Sequence, residues 1–124
     1  VSPRLLILDD DDAILSLLQR YFDGLGWRVQ GCTEVLDGLR LVESNPFDAV
    51  ICDLHLGPGQ DGDGLSIITR VRERRPEAAV VLFTAAAGDG VRAAALKAGA
   101  DRVIAKPAPL AHLRDATVRA MKSR

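Results

Sequence analysis

Chemistry in this chain of 124 residues concentrates in side chains that each follow an apolar run. Leu5 to Leu8 leads into four aspartates, Asp9 to Asp12; Ala49 to Cys52 leads into Asp53; Ala79 to Phe83 into Thr84; and Val103 to Ala105 into Lys106 and Pro107. If the first and third runs are neighbouring parallel strands, Asp9, Asp10 and Asp53 converge on one small volume. Three carboxylates at that spacing repel and raise one another's pKa unless a cation is supplied, and hard oxygen ligands with room for water suit Mg²⁺. Lys106 adds a fixed positive charge and Thr84 a hydroxyl donor. Carboxylates, a divalent ion, an ammonium and a hydroxyl together make a pocket for a phosphoryl group in transfer.

The elements that must position these groups are legible as an alternation repeated five times. After the first strand, Ile14, Leu17, Leu18, Tyr21, Phe22 and Leu25 recur at helical spacing and predict one inward helix face. Trp27 to Cys32 predicts a second strand, and Val35, Leu39 and Val42 a helix from Glu34 to Ser44, stopped by Asn45-Pro46. Ala49 to Cys52 is the third strand; Leu65, Ile68 and Val71 mark a helix that ends before Pro76. Ala79 to Phe83 is the fourth strand, and Asp89 to Ala98 a helix with Val91, Ala94, Ala95 and Ala98 inward and Gly99 as its cap. Val103 to Ala105 is a short fifth strand. Pro107 and Pro109 open a last helix with Leu113, Ala116, Thr117 and Ala120 inward. Strands this uniformly apolar are covered on both faces, and parallel strands need helical crossovers. The expected fold is α/β, a three-layer (βα)₅ doubly wound parallel sheet of flavodoxin-like type with strand order 2-1-3-4-5, spanning residues 1–124 as one domain.

Composition narrows the function classes. Hydrophobic residues are 48% and charged residues 27% of the chain, which excludes a disordered or fibrous protein. A net charge of −1 gives no reason to expect a nucleic-acid partner. Cys32 and Cys52 lack CxxC spacing and read as small buried hydrophobes in a reducing compartment. Without an apolar run long enough to cross a bilayer or a secretory leader pattern, the expected location is cytoplasmic, with no membrane partner. The charge is nevertheless uneven. Residues 85–124 hold eight basic and three acidic side chains, while residues 1–84 hold eight and fourteen. The basic stretch, with Arg92, Lys97, Arg102, Arg114, Arg119, Lys122 and Arg124, reads as a solvated face or as a surface for an acidic partner or self-association.

Taken in order, Leu5-Leu6-Ile7-Leu8-Asp9-Asp10-Asp11, Asp53 after an apolar strand, Phe83-Thr84-Ala85, Gly99-Ala100-Asp101 and Ala105-Lys106-Pro107 resemble the receiver domain of bacterial two-component response regulators, over essentially the whole chain. The resemblance implies that Asp53 is the phosphoacceptor and that Asp10 binds Mg²⁺ directly, Asp9 through water and His55 through its backbone carbonyl. It implies that Thr84 and Lys106 grip the phosphoryl oxygens and that the peptide bond between Lys106 and Pro107 is often cis. The phosphodonor would be a sensor histidine kinase or a phosphotransfer protein. The fourth helix, fifth strand and fifth helix would form the surface read by an output domain or a second receiver. Such a chain is no enzyme beyond its own phosphorylation and dephosphorylation.

Three departures from the family pattern stand out. Val103 occupies the position, three before Lys106, where an aromatic ring usually changes rotamer, so phosphorylation is expected to move Thr84 and its loop more than position 103. The loop from Gly57 to Gly64 is longer and richer in glycine than the common version. His55 and Ala86, two residues beyond Asp53 and Thr84, occupy positions that tune dephosphorylation, and a histidine there adds a charge that varies near neutral pH.

Plainer readings weigh against each residue. One aspartate among Asp11 and Asp12 suffices to cap the first helix. Asp53, Thr84 or Lys106 alone would be an ordinary strand-end residue, although lysine is scarce, at three residues against thirteen arginines. The formal GxGxxG match at Gly57 to Gly62 lies in the wrong turn for a dinucleotide, and Asp61 and Asp63 do not continue into a calcium loop. Two rivals follow: a pseudo-receiver serving only as a phosphorylation-independent interaction module, and an aspartate-nucleophile phosphatase, which would need a second aspartate where His55 stands.

Overall fold

Runs such as Leu5-Leu6-Ile7-Leu8 and Ala79-Val80-Val81-Leu82-Phe83 are too apolar to leave either side in water, and a parallel sheet between two helical layers buries both. The computed structural model, which describes residues 2–56 and 63–124, has this arrangement. Its elements are β1 (Arg4–Leu8), α1 (Asp12–Gly24), β2 (Arg28–Cys32), α2 (Val35–Ser44), β3 (Ala49–Cys52), α3 (Asp63–Arg74), β4 (Ala79–Thr84), α4 (Asp89–Ala98), β5 (Arg102–Ala105) and α5 (Leu110–Lys122). The strands form one parallel sheet in the order β2-β1-β3-β4-β5. The order 2-1-3-4-5 reverses at β1 and β3, which opens a crevice at their carboxyl ends.

Strand alternation sorts the core into two halves. Leu6 and Leu8 face a cluster shared with Val42 of α2, Ile67, Ile68 and Val71 of α3 and Ala95 of α4. Leu5 and Ile7 face the other, with Leu15, Leu18 and Phe22 of α1 and Leu113 and Ala120 of α5. Helix α1 is rotated from the expected face: Leu15, Leu18 and Phe22 are buried, while Leu17 and Leu25 are 49% and 41% exposed. The cause is helical geometry, since Leu17 stands about 200° around the axis from Leu15, and Leu25 lies past the last helical residue as the C-cap. Trp27 precedes β2 and packs on Phe22 with ring centroids 4.9 Å apart. Among the described residues no helix is long and apolar enough to cross a membrane.

At the face away from the crevice, Asp101 ties four segments together. Its Oδ2 accepts from the Val80 amide at 2.8 Å and from Arg72 at 3.3 Å, and its Oδ1 accepts from Arg124 Nη2 at 2.6 Å. Arg72 also donates to the carbonyls of Gly99, Pro76 and Ala78. Gly99 closes α4 with φ of 121°, a conformation glycine adopts without strain. Asp101→Ala leaves Arg72 and the Val80 amide short of partners in a largely buried place. Its expected cost is about 2–4 kcal/mol in urea unfolding, whereas Arg124→Ala, at a more exposed partner, costs about 1 kcal/mol or less.

Candidate functional site

Parallel strands deliver the residues that follow them to one edge of the sheet. The ladder continues one residue past the strands, with the Asp9 amide donating to the Cys32 carbonyl at 3.2 Å and the Asp53 amide to the Leu8 carbonyl at 3.0 Å. Both side chains are therefore held next to the core; Asp9 is 2% and Asp53 9% exposed. The next turn spends its aspartates on different tasks. Asp9 Oδ1 accepts from the Asp11 amide at 2.9 Å, and Asp11 Oδ1 caps α1 by accepting from the amides of Ala13 and Ile14. Asp10 is left exposed beside them.

From the other side of the crevice, the Lys106 amide donates to the Thr84 carbonyl at 2.9 Å and places its side chain over β3 and β1. Lys106 Nζ donates to Asp9 Oδ2 at 2.6 Å and to Asp53 Oδ2 at 2.8 Å, and it lies 5.4 Å from the Phe83 ring centroid. Burial alone would lower the Lys106 pKa, but the bonds to Asp53 and Asp9 outweigh it and the ammonium is held more tightly protonated than usual. Burial dominates at Asp9 and raises its carboxyl above the ordinary range, with Lys106 and the Asp11 amide opposing it. The free oxygen of Asp53, Oδ1, accepts from the Leu54 amide at 2.7 Å.

Asp9, Asp10 and Asp53 can each offer one oxygen with all three within 4.8 Å of one another. Three carboxylates against one ammonium leave two negative charges, so a single divalent cation neutralises the cluster, and an all-oxygen donor set suits Mg²⁺. The residues present fit such an ion.

The remaining expected residues are placed as follows. Thr84 is 1% exposed at the end of β4, and its Oγ1 accepts from the Ala86 amide at 3.2 Å. Ala86 packs against the core under α4. His55 is half-buried two residues beyond Asp53, and the Lys106–Pro107 peptide bond is cis. Val103 is 4% exposed and pairs with Leu82, while its carbonyl accepts from Arg92 Nη1 of α4 at 3.0 Å. Most of the long loop, residues 57–62, lies outside the described residues. Asp63 and Gly64, expected to close that loop, instead open α3, and Gly64 was not separable by sequence from its neighbouring glycines. Its amide donates to the Leu54 carbonyl at 2.9 Å, and a Cβ there would overlap the Asp53 carbonyl oxygen. A glycine inside the first turn of a helix is the only signal that could have found it.

Comparison with known proteins agrees with the geometry. A family model described as "Response regulator receiver domain" matches residues 5–118. The photosynthetic apparatus regulatory protein RegA of Rhodobacter capsulatus is 36% identical over 104 residues, covering 84% of this chain and 55% of RegA. The transcriptional regulatory protein PrrA of Mycobacterium tuberculosis is 33% identical over 112 residues, covering 90% of this chain and 47% of PrrA. The chain thus spans about half the length of these curated relatives. A response regulator of Burkholderia pseudomallei, crystallised with a phosphorylated aspartic acid, calcium ion and citrate, superposes with a TM-score of 0.88 at 28% identity, covering 98% of this chain and 71% of that one.

Two outcomes follow from the geometry. Because folding raises the Asp9 pKa, the native state keeps that proton to higher pH than the unfolded chain does. In chelator, Asp9 therefore contributes stability at acid pH that is lost as pH rises through its raised folded pKa. Asp9→Asn is expected to raise the urea midpoint at neutral pH without metal and to show no further gain on adding Mg²⁺, where the native sequence is expected to gain. Gly64→Ala, pressed on backbone, is expected to cost about 1–3 kcal/mol in the same assay.

Proposed function

The chain belongs to the response regulator receiver family, and from that premise we propose that it is a phosphorelay receiver whose Asp53 carboxylate takes a phosphoryl group from a histidine kinase or phosphotransfer protein. The contact of Lys106 Nζ with both Asp9 and Asp53 carries this reading, because it sets a fixed cation against the nucleophile and a second carboxylate.

An Asp53 oxygen attacks phosphorus in line with the phosphohistidine nitrogen; the new O–P bond forms as the N–P bond breaks, and the imidazole leaves with its electron pair. Asp9 and Asp10, with Asp53 and the His55 backbone carbonyl, would hold Mg²⁺, which when bound neutralises charge on the transferring group. Lys106 loses its bond to Asp53 Oδ2 as that carboxylate becomes an acyl phosphate, and its ammonium turns to the phosphoryl oxygens. Thr84 donates its hydroxyl to another of them and draws the Thr84–Ala86 turn with it. Val103 has no ring to swing, so the change passes through that turn into α4 and β5, the surface that with α5 an output domain or second receiver would read. Hydrolysis of the acyl phosphate resets the chain, with His55 and Ala86 flanking the path of the water. The proposed unit spans residues 1–124 and acts in the cytoplasm as a signalling module rather than as an enzyme acting on other substrates.

Intact-mass spectrometry after incubation with acetyl phosphate tests this. A gain of one phosphoryl mass that needs both Mg²⁺ and Asp53, and is absent from Asp53→Asn, is the expected result. Lys106→Met should slow the gain by about 10²-fold or more. No adduct, where another receiver is labelled, would favour the phosphorylation-independent interaction module. His55→Ala is expected to change the rate of phosphoryl loss; an unchanged rate removes His55 from that step.

A further inference from the structure

Strand β2 closes the sheet on the side opposite β5, and among the described residues no strand lies beyond it. The Arg28 amide donates to the Pro3 carbonyl at 2.8 Å, and the Asp9 amide to the Cys32 carbonyl at 3.2 Å. Backbone groups of a parallel strand alternate sides, so Arg28, Gln30 and Cys32 bond toward β1 while the amides and carbonyls of Val29 and Gly31 point outward. Helix α2 packs on β1 and α3, and beside β2 it leaves an open trough lined by Gln30, Cys32, Asp37 and Arg40. On the other face, α1 flanks Val29 with Gln19, Arg20 and Asp23.

An open edge of this kind is a template for another strand unless its side chains forbid it. Arg28 is the only charged residue of β2. Among the described residues neither Arg28 nor Arg20 nor Asp23 forms an ion pair. Strand alternation puts the side chains of Arg28, Gln30 and Cys32 on the α2 face, where Cys32 packs with the cluster that holds Leu8. Asp37 of α2 lines the trough with Cys32, at the end of the strand away from Arg28. The open edge therefore has a basic group at one end of this face and an acidic group at the other.

We propose that β2 pairs antiparallel with β2 of a second copy of this chain, about a two-fold axis at Gln30. The axis sets Val29 opposite Gly31, and each such pair exchanges both of its outward hydrogen bonds. It carries Arg28 to the Cys32 end of the other copy, beside Asp37, so the one charge on the strand that resists pairing meets its opposite instead of itself. The same reversal runs α1 against α1 and brings Arg20 toward the other copy's Asp23. A free peptide fits less well, because it has to supply from its own sequence the charges that a second copy already holds in place. One short strand from each copy makes a small interface, so the dimer is weak and concentration-dependent. The contact lies at the far side of the sheet from β5 and does not rest on the phosphorelay reading.

Sedimentation velocity on the whole chain, from micromolar to near-millimolar concentration and without acetyl phosphate, tests this. A monomer–dimer equilibrium is expected. Arg28→Glu and Asp37→Arg, each of which sets like charges together, should each weaken the dimer about tenfold or more, and the two combined should restore it. Val29→Pro removes an outward donor while leaving the bonds to β1 in place, and it should weaken the dimer with the urea midpoint showing that the chain still folds. If that variant does not fold, the charge exchange still decides. A chain that stays monomeric throughout, a dimer indifferent to the single reversals, or single losses that the combined variant does not repair would each overturn the proposal. So would a dimer that Arg102→Glu on β5 weakens and Arg28→Glu does not. Phosphoryl gain measured on the same samples bears on Asp53 alone, so either reading can fail without the other.

Discussion

The structure depends on one ammonium shared by two buried carboxylates. Lys106 Nζ sits 2.6 Å from Asp9 Oδ2 and 2.8 Å from Asp53 Oδ2, and those aspartates leave from adjacent strands directly out of the core. Without the lysine, two charges would face each other at the mouth of an apolar sheet, a costly arrangement. With it, β5 is drawn electrostatically to β1 across the two strands that separate them. The bond that steadies the resting fold is also one that, in the proposed relay, a transferred phosphoryl group would displace, so a single contact would serve both cohesion and reactivity.

This dual use explains how the site can be highly charged in a small domain. Each aspartate of the first turn has a separate assignment: Asp9 to Lys106 and the Asp11 amide, Asp11 to the helix cap, and Asp10 to solvent. The imbalance at the site is two negative charges, while the opposite face is closed by the Asp101 cluster, where one carboxylate joins two guanidinium groups. The reactive end is left electrically incomplete and the far end is locked.

Much of this was legible in the residues. Apolar runs ending in Asp, Asp, Thr and Lys fixed which strand ends mattered, and their alternation with helical periods gave the sheet order, because parallel strands have few ways to connect. The inward face of α1 was less legible: Leu15 and Leu17 are chemically equal, and which one faces the sheet is decided by where Asp11 starts the helix. Close approaches were not legible at all. Gly64 against the Asp53 carbonyl and Gly38 against Leu8 depend on distances between elements, which no local pattern encodes. The Asp101 cluster likewise joins residues far apart in the chain, and aspartate after Gly-Ala does not announce two arginine partners.

The bond from Arg92 to the Val103 carbonyl bears on how this chain can drift. A hydrogen bond to main chain does not read the identity of the residue it touches. Position 103 can pass through isoleucine, leucine or cysteine and still offer the same oxygen, provided the side chain fits the core. Position 92 has no such freedom, since the donor is the side chain itself. The tether between α4 and β5 is therefore inherited through a single codon, whereas coupling that relied on a ring at 103 would need the ring and its pocket to vary together.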